Sequence, residues 1–281
     1  MLYKGLDVMT NNQNKAIGVF DSGVGGLTAI RELQRVLPSE NIIYFGDTGR
    51  VPYGMKSCDT ILKYAKQDIA FLISQDVKFI IAACGTVSSL MENIYDINGI
   101  PFTGVVRPTA LAAAKYSKNK KIGIIGTSAT INSKSYAKSL LRIDPEITLY
   151  EQSCPLFAPM IESGFTKADD PVVKGAVERY ISPLVELGMD TLILGCTHYP
   201  LISEAIRNVI GENVVLVDSG KEAAQYAKNL LNENNLLQTV NNKVTRNFYV
   251  SDSPKTFFEL AKTFLGEFMP CKVQKIDIEN Y

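Results

Sequence analysis

The sequence predicts an α/β fold of two similar lobes, each a mainly parallel sheet flanked by helices, with a cleft between them. Two observations carry this. Short apolar, β-branched runs alternate with longer segments of helical period, the pattern of right-handed βαβ crossovers and of parallel sheets covered on both faces. Motifs that open and close units in the first half of the chain also recur, in the same order, in the second half.

Taken in order, Ala16–Phe20 reads as a strand that runs into the glycine-rich turn Asp21–Gly26, and Leu27–Leu37 as the helix that follows. Asn41–Phe45 and the helix Ser57–Ser74 come next, then Phe79–Ala83 with Thr86–Ile94, and Phe102–Val105 with Pro108–Tyr116. Lys121–Ile125 pairs with Ser128–Leu141, Thr148–Gln152 with Pro171–Leu187, and Thr191–Leu194 with Pro200–Val209. Val214–Val217 with Lys221–Asn232, and Phe248–Val250 with Pro254–Leu265, complete the series, and no low-complexity linker divides it. The echo lies in IGVFDSG (Ile17–Gly23) against IGIIGTS (Ile122–Ser128), and in FIIAACGT (Phe79–Thr86) against TLILGCTH (Thr191–His198). About 70 residues separate the opening strand from the cysteine in both halves, the scale of a duplicated α/β unit.

Composition excludes several classes. The 281 residues suffice for two lobes of ordinary size, and an apolar content of 46% supplies their cores. Acidic and basic residues balance at 29 each without a basic stripe, so a nucleic-acid partner is not expected. No run approaches the roughly 18 apolar residues of a membrane span. Met1–Lys15 is polar and Asn-rich, reads as a tail with no secretory block, and leaves Met9 as an alternative start; a cytoplasmic location is expected. Five cysteines (Cys58, Cys84, Cys154, Cys196 and Cys271) form no CxxC pair, which argues for free thiols and against a disulfide framework or a zinc site.

In doubly wound folds, ligands bind outside the carboxyl ends of the strands, and Cys84 and Cys196 both fall there, each just before a helix start. A cysteine at a strand end is ordinarily a small buried hydrophobe. Here two of them occupy duplicated polar turns, where helix N–H groups favour thiolate and Thr86, Ser88, Ser89, Thr197 and His198 offer donors to a small anion. Cys58, Cys154 and Cys271 lack such settings and read as structural. Two acid–base groups facing each other suit removal of a proton from one face of a carbon and its return to the other. The turn DSGVGG departs from the phosphate-loop patterns and leads with an acid, which suits an ammonium group better than phosphate. The Arg50–Gly54 segment, with Pro52, Tyr53 and Gly54, makes a turn whose N–H groups can point into a cleft or form an ordinary β-turn. His198, the single histidine, sits two positions from Cys196, close enough to hold or protonate it. Asp47 and Glu162 flank strand ends, where a carboxylate is ordinarily a cap or a solvated group.

DSGVGGLT (Asp21–Thr28), YFGDTGRVPYG (Tyr44–Gly54), CPLFAPMIESG (Cys154–Gly164), LILGCTHYPL (Leu192–Leu201), VDSG (Val217–Gly220) and FYVSDSP (Phe248–Pro254) closely resemble bacterial glutamate racemases of the aspartate/glutamate racemase superfamily, from about Ile17 to Asp252. The resemblance implies two α/β lobes with the active site between them, expected as 16–107 plus 218–281 carrying Cys84 and 108–217 carrying Cys196. It implies a homodimer, no pyridoxal phosphate or other cofactor, no metal, and supply of D-glutamate for peptidoglycan. It further implies that Cys84 and Cys196 are the bases for the D- and L-enantiomers, that Asp21 assists Cys84, and that His198 and Glu162 assist Cys196. Substrate contacts would fall on Asp21, Ser22, Pro52, Tyr53, Gly54, Gly85, Thr86, Thr197 and His198. Two positions depart from the family pattern: Gly85 stands where the family usually has Asn, and Arg107 precedes Pro108 where Glu is common. The first removes a side-chain amide, and the second adds a cation near or outside the cleft. Racemisation of another acidic amino acid such as aspartate, a Cys196–His198 thiol hydrolase, and an inactive binding relative are the alternative readings.

Overall fold

The computed structural model describes residues 12–238, 244–269 and 272–281. Two sheets organise them. Strands β1 (Ile17–Asp21), β2 (Ile42–Gly46), β3 (Phe79–Ala82), β4 (Asp96–Ile97), β5 (Ile100–Gly104), β10 (Arg246–Val250) and β11 (Val273–Lys275) form a seven-stranded sheet in the order β11-β10-β2-β1-β3-β5-β4. Strands β6 (Lys121–Gly126), β7 (Thr148–Ser153), β8 (Thr191–Leu194) and β9 (Val215–Asp218) form the second, in the order β7-β6-β8-β9. Among these pairings only β4 with β5 is antiparallel.

Both sheets contain the same kernel, with the first strand flanked by the second and third. The repeated motifs lie on equivalent strands in equivalent register: Ile17 is opposite Phe79 in one sheet, and Ile122 is opposite Thr191 in the other. The echo in the sequence is therefore an echo in space, and each reactive-cysteine candidate follows the third strand of its kernel.

Eleven α-helices cover the described sheets: α1 (Leu27–Val36), α2 (Cys58–Ser74), α3 (Gly85–Leu90), α4 (Val106–Tyr116), α5 (Ser128–Ser133), α6 (Ser135–Ile143), α7 (Phe157–Glu162), α8 (Pro171–Val185), α9 (Ser203–Ile210), α10 (Ser219–Glu233) and α11 (Pro254–Leu265). The expected single helix 128–141 is broken at Lys134, whose φ of 56° is left-handed. Ser133 drives the break, because its hydroxyl donates to the Thr130 carbonyl and accepts the Ser135 N–H, competing with helical bonding. The expected helix 86–94 stops at Leu90, and 200–209 begins as a 3-10 turn, Tyr199–Ile202, before α9. Strands β4 and β11 and helix α7 were not expected, being too short to show a period.

Alternation along the central strands sends side chains into separate cores. Ile17, Val19, Ile42, Tyr44, Phe79 and Ile81 join one cluster, while Phe20, Ile43, Phe45, Ile80 and Ala82 join that on the opposite face of the first sheet. Ile122, Ile124 and Ile193 enter a third cluster, but Ile125, Leu192 and Leu194 return to the first, which is thus continuous between the sheets. Full burial of such side chains contributes about 1.5–3 kcal/mol each, so the sheet ends that carry the polar turns are held on a stiff base.

Residues 12–15, the described part of the expected tail, are tied down: Lys78 Nζ donates to the Gln13 carbonyl at 2.6 Å, and Lys15 pairs with Asp76 at 2.7 Å. The remainder of that segment, Met9 included, lies outside the described residues, as does Cys271. No described helix is long and apolar enough to cross a membrane.

Candidate active site

The turn Asp21–Gly26 leaves β1 and enters α1. Asp21 Oδ2 accepts the Gly23 N–H at 3.0 Å, and the Tyr44 hydroxyl donates to the Gly23 carbonyl at 2.9 Å. A Cβ on Gly26 would stand 2.6 Å from that of Asp21, so the coil closes this tightly only with glycine. Asp21 is almost wholly buried, which raises its pKa against the opposing pull of His198 and the turn N–H groups.

Cys84 caps α3, following β3. Its thiol donates to Ser22 Oγ at 3.3 Å, so the direct neighbour of this sulfur is Ser22, while Asp21 acts on it through charge. Burial, then the Asp21 carboxylate, push the Cys84 thiol up to about 12, although Ser22 and the Thr86 and Val87 N–H groups pull it down. Cys84 therefore rests protonated.

Cys196 occupies the equivalent turn after β8. Its sulfur lies 3.8 Å from His198 Nδ1, and His198 Nε2 lies 2.8 Å from Glu162 Oε1, on the last residue of α7. Burial disfavours charge on the imidazole, but the hydrogen bonds to Cys196 and Glu162 prevail and hold its pKa at about 10. His198 is thus an imidazolium with one proton toward sulfur and one toward the carboxylate. Cys154, buried behind β7, is pushed up by burial and by the charge of Cys196, whereas Cys58 is exposed at the start of α2.

The two turns are pressed together. The Thr28 hydroxyl, on α1, donates to the Thr197 carbonyl at 2.8 Å. A Cβ at Gly25 would lie 2.3 Å from Thr197 Oγ1 and 2.5 Å from His198 Nδ1; one at Gly85 would lie 2.7 Å from the Gly195 carbonyl oxygen. Glycine at 85 is what allows the Cys84 turn to approach the Cys196 turn this closely; an asparagine there would strike backbone. Gly54 sits at the same seam, where an added Cβ would be 3.8 Å from Thr127 and 3.9 Å from Thr86 Oγ1. Tyr53 beside it is buried, and Pro52 is exposed.

The thiols are only 5% and 7% exposed, and the cavities that flank them stop short of both. One, of about 660 Å³, is walled by Gly54, Thr86, Ser89, Ser128 and Asn132; the other, of about 200 Å³, by Gly23, Val24, Glu162 and Phe257. This is a closed form of the site. Arg107 is drawn away from it: its guanidinium lies over the rings of Tyr95 at 4.6 Å and Tyr226 at 5.8 Å.

Sequence reading missed Thr28, which carried no signal beyond its place in a helix, and treated Asp47 as a cap or a solvated group. Asp47 is wholly buried, bonded to Arg50, Tyr53 and Ser251. Glu162, half exposed, is engaged by His198.

Fold and site together define a two-sheet α/β protein with duplicated thiol turns closed on each other. The chain matches the family model described as Asp/Glu/Hydantoin racemase over residues 29–227. A glutamate racemase from Geobacter metallireducens is 44% identical over 253 residues, 90% of this chain and 93% of the relative. Among solved structures, a glutamate racemase from Francisella tularensis in complex with D-glutamate superposes with a TM-score of 0.86 at 38% identity, covering 96% of this chain and all of that one. One from Thermus thermophilus gives 0.83 at 37%, covering 96% and 99%. The chain belongs to the Asp/Glu/Hydantoin racemase family.

Proposed function

We propose that the protein is an isomerase that interconverts L- and D-glutamate with its own two thiols as the acid–base pair. The observation that carries this reading is the duplicated kernel, which ends in Cys84 on one lobe and Cys196 on the other with their turns in contact. The lobes are 16–107 plus 218–281 and 108–217. The relatives named above, glutamate racemases along nearly their whole length, support the substrate.

The reaction runs by proton exchange at Cα. Cys196, once deprotonated beside the His198 imidazolium, takes the α-proton of L-glutamate. Cys84, resting as a thiol, delivers its own proton to the opposite face, and the D-enantiomer leaves with the two sulfurs having swapped protonation states. Asp21 and Ser22 tune Cys84; His198, steadied by Glu162, serves Cys196. Donors from Tyr53, Gly54, Gly85, Thr86 and Thr197 hold the substrate carboxylates and stabilise the charge that develops in the carbanion. Pro52 shapes the turn that presents Tyr53 and Gly54. The closed form opens to admit substrate and shuts to exclude water. The product serves peptidoglycan synthesis, in the cytoplasm, from a homodimer.

The test is circular dichroism of glutamate in heavy water: the signal decays to zero and deuterium enters at Cα. Glutamate that stays enantiopure removes the substrate assignment. The Cys196–His198–Glu162 line also fits a thiol hydrolase. That reading leaves Cys84 without a task, and it predicts a trappable thioester and no α-deuteration.

A further inference from the structure

Behind the Pro52–Gly54 turn lies a buried polar cluster with no part in the proton transfers above. Asp47 and Asp68 are both wholly buried, and a single guanidinium reaches them, Arg50 Nε to Asp47 Oδ2 at 2.6 Å and Nη2 to Asp68 Oδ1 at 3.0 Å. Arg50 also lies over the Tyr64 ring at 4.1 Å, and its Nη1 meets Gln67 and the exposed Glu279, 3.2 Å away. The Tyr53 hydroxyl stands between the two carboxyl groups, against Asp47 Oδ2 and 3.1 Å from Asp68 Oδ2. Ser251 spends its proton on Asp47 Oδ1 at 2.7 Å, since its oxygen accepts the Gly49 N–H.

Counting protons exposes a shortfall. Two buried carboxylates against one guanidinium leave an uncompensated negative charge, which a buried site does not tolerate. Tyr53 has one hydroxyl proton but faces an oxygen of each acid. One additional proton settles both difficulties: placed on Asp68 Oδ2 it is donated to Tyr53 Oη, and Tyr53 then donates to Asp47, which already accepts from Arg50 and Ser251.

We infer that Asp68 is a neutral carboxylic acid and that the relay Asp68–Tyr53–Asp47, clamped by Arg50, is a positioning device that fixes the Tyr53–Gly54 turn at the mouth of the reaction cleft. Burial, and then the charge of Asp47, raise Asp68 well above the carboxylate range despite Arg50 and the Tyr53 hydrogen bond. Tyr53, raised by burial and by both acids, keeps its own proton. The turn it anchors is the one whose Gly54 lies beside Thr86 of its own lobe and faces Thr127 across the seam. Asp68 and Arg50 touch no substrate in this arrangement; they act through the turn.

The catalytic consequence rests on the proposed racemase reading, whereas the position of the proton does not. Asp68→Leu strips Tyr53 and Arg50 of a partner and raises the KM for glutamate roughly tenfold or more, with a smaller change in kcat. Asp68→Asn keeps an acceptor for Arg50 and a donor for Tyr53, and restores the KM. Asp47→Asn sets an amide N–H or an uncharged oxygen against donors, and is not a rescue. In the infrared, the difference between the native protein and Asp68→Asn contains a protonated-acid carbonyl band that persists through neutral pH. Absence of that band, or an Asp68→Asn variant as impaired as Asp68→Leu, overturns the inference. Because the infrared measurement needs no turnover, loss of the glutamate assignment leaves it decisive.

Discussion

Replacing Gly25 by alanine tests whether the closed arrangement is the one that reacts. The added methyl would stand 2.3 Å from Thr197 Oγ1 and 2.5 Å from His198 Cε1 and Nδ1. Ordinary contact is about 3.5–4.0 Å, so more than an ångström must be found. The neighbours yield poorly: the imidazole is held between Cys196 and Glu162, and the Thr197 backbone is held by the Thr28 hydroxyl. Relief comes from displacing His198 or from parting the turns, and overpacking of this kind costs about 1–3 kcal/mol. At 1.36 kcal/mol per decade, kcat/KM falls roughly 5- to 160-fold. Polarimetric assay of glutamate from both enantiomers reads this, alongside a thermal melt. If the lobes part to absorb the clash, the melting temperature moves by less than the ~2–4 °C that each kcal/mol would otherwise give. A variant with kcat/KM within about twofold of native would refute the reasoning, because the turns would then not be in contact in the reacting form.

Other outcomes follow from the same geometry. Cys84→Ser and Cys196→Ser each lower racemisation by about 10²–10⁴; because the enantiomers have equal free energy, any residual kcat/KM must be equal in both directions, which assays begun from each enantiomer will check. His198 holds its proton more tightly in the folded chain than in the unfolded one, where imidazole titrates near ~6.5. Its contribution to stability is complete below that value and is lost as pH rises through about 10, so the melting-temperature gap between native protein and His198→Gln is largest in mild acid and closes toward alkaline pH. A gap that widens with pH reverses the sign. Gly85→Asn drives a Cβ to 2.7 Å from the Gly195 carbonyl oxygen, side chain against backbone, and lowers both activity and the melting temperature; unchanged calorimetry and kinetics would show that the turns stand further apart.

The framework and the placement of Cys84 and Cys196 at equivalent strand ends were legible in the sequence because both are local. Period, turn residues and the paired motifs lie within single βα units, and the match of Ile17–Phe79 with Ile122–Thr191 turns one repeat into another of equal register. What was not legible depends on distance along the chain. Asp47 meets Ser251 across 204 positions and Arg50 meets Glu279 across 229, so no window of residues shows how this cluster is assembled. Ser22 as the partner of Cys84, 62 positions away, was hidden for the same reason. Lys134 was missed differently: Ser133 and Ser135 look acceptable in a helix, and only their hydroxyl bonding reveals the break. Arg107 had two possible destinations by sequence, and a pair of tyrosine faces decided between them.

The order of strands in the larger sheet has a consequence for how the molecule is made. β2 is bordered on one side by β1, next to it in the chain, and on the other by β10, some 200 residues further on. Throughout synthesis of the intervening α/β unit, that flank of β2 is an unsheltered row of amide and carbonyl groups, the kind of margin on which neighbouring chains aggregate. The four-stranded sheet, contiguous in sequence, is free to fold first. The ribosome must deliver Arg246–Val250 before the larger sheet has its full width.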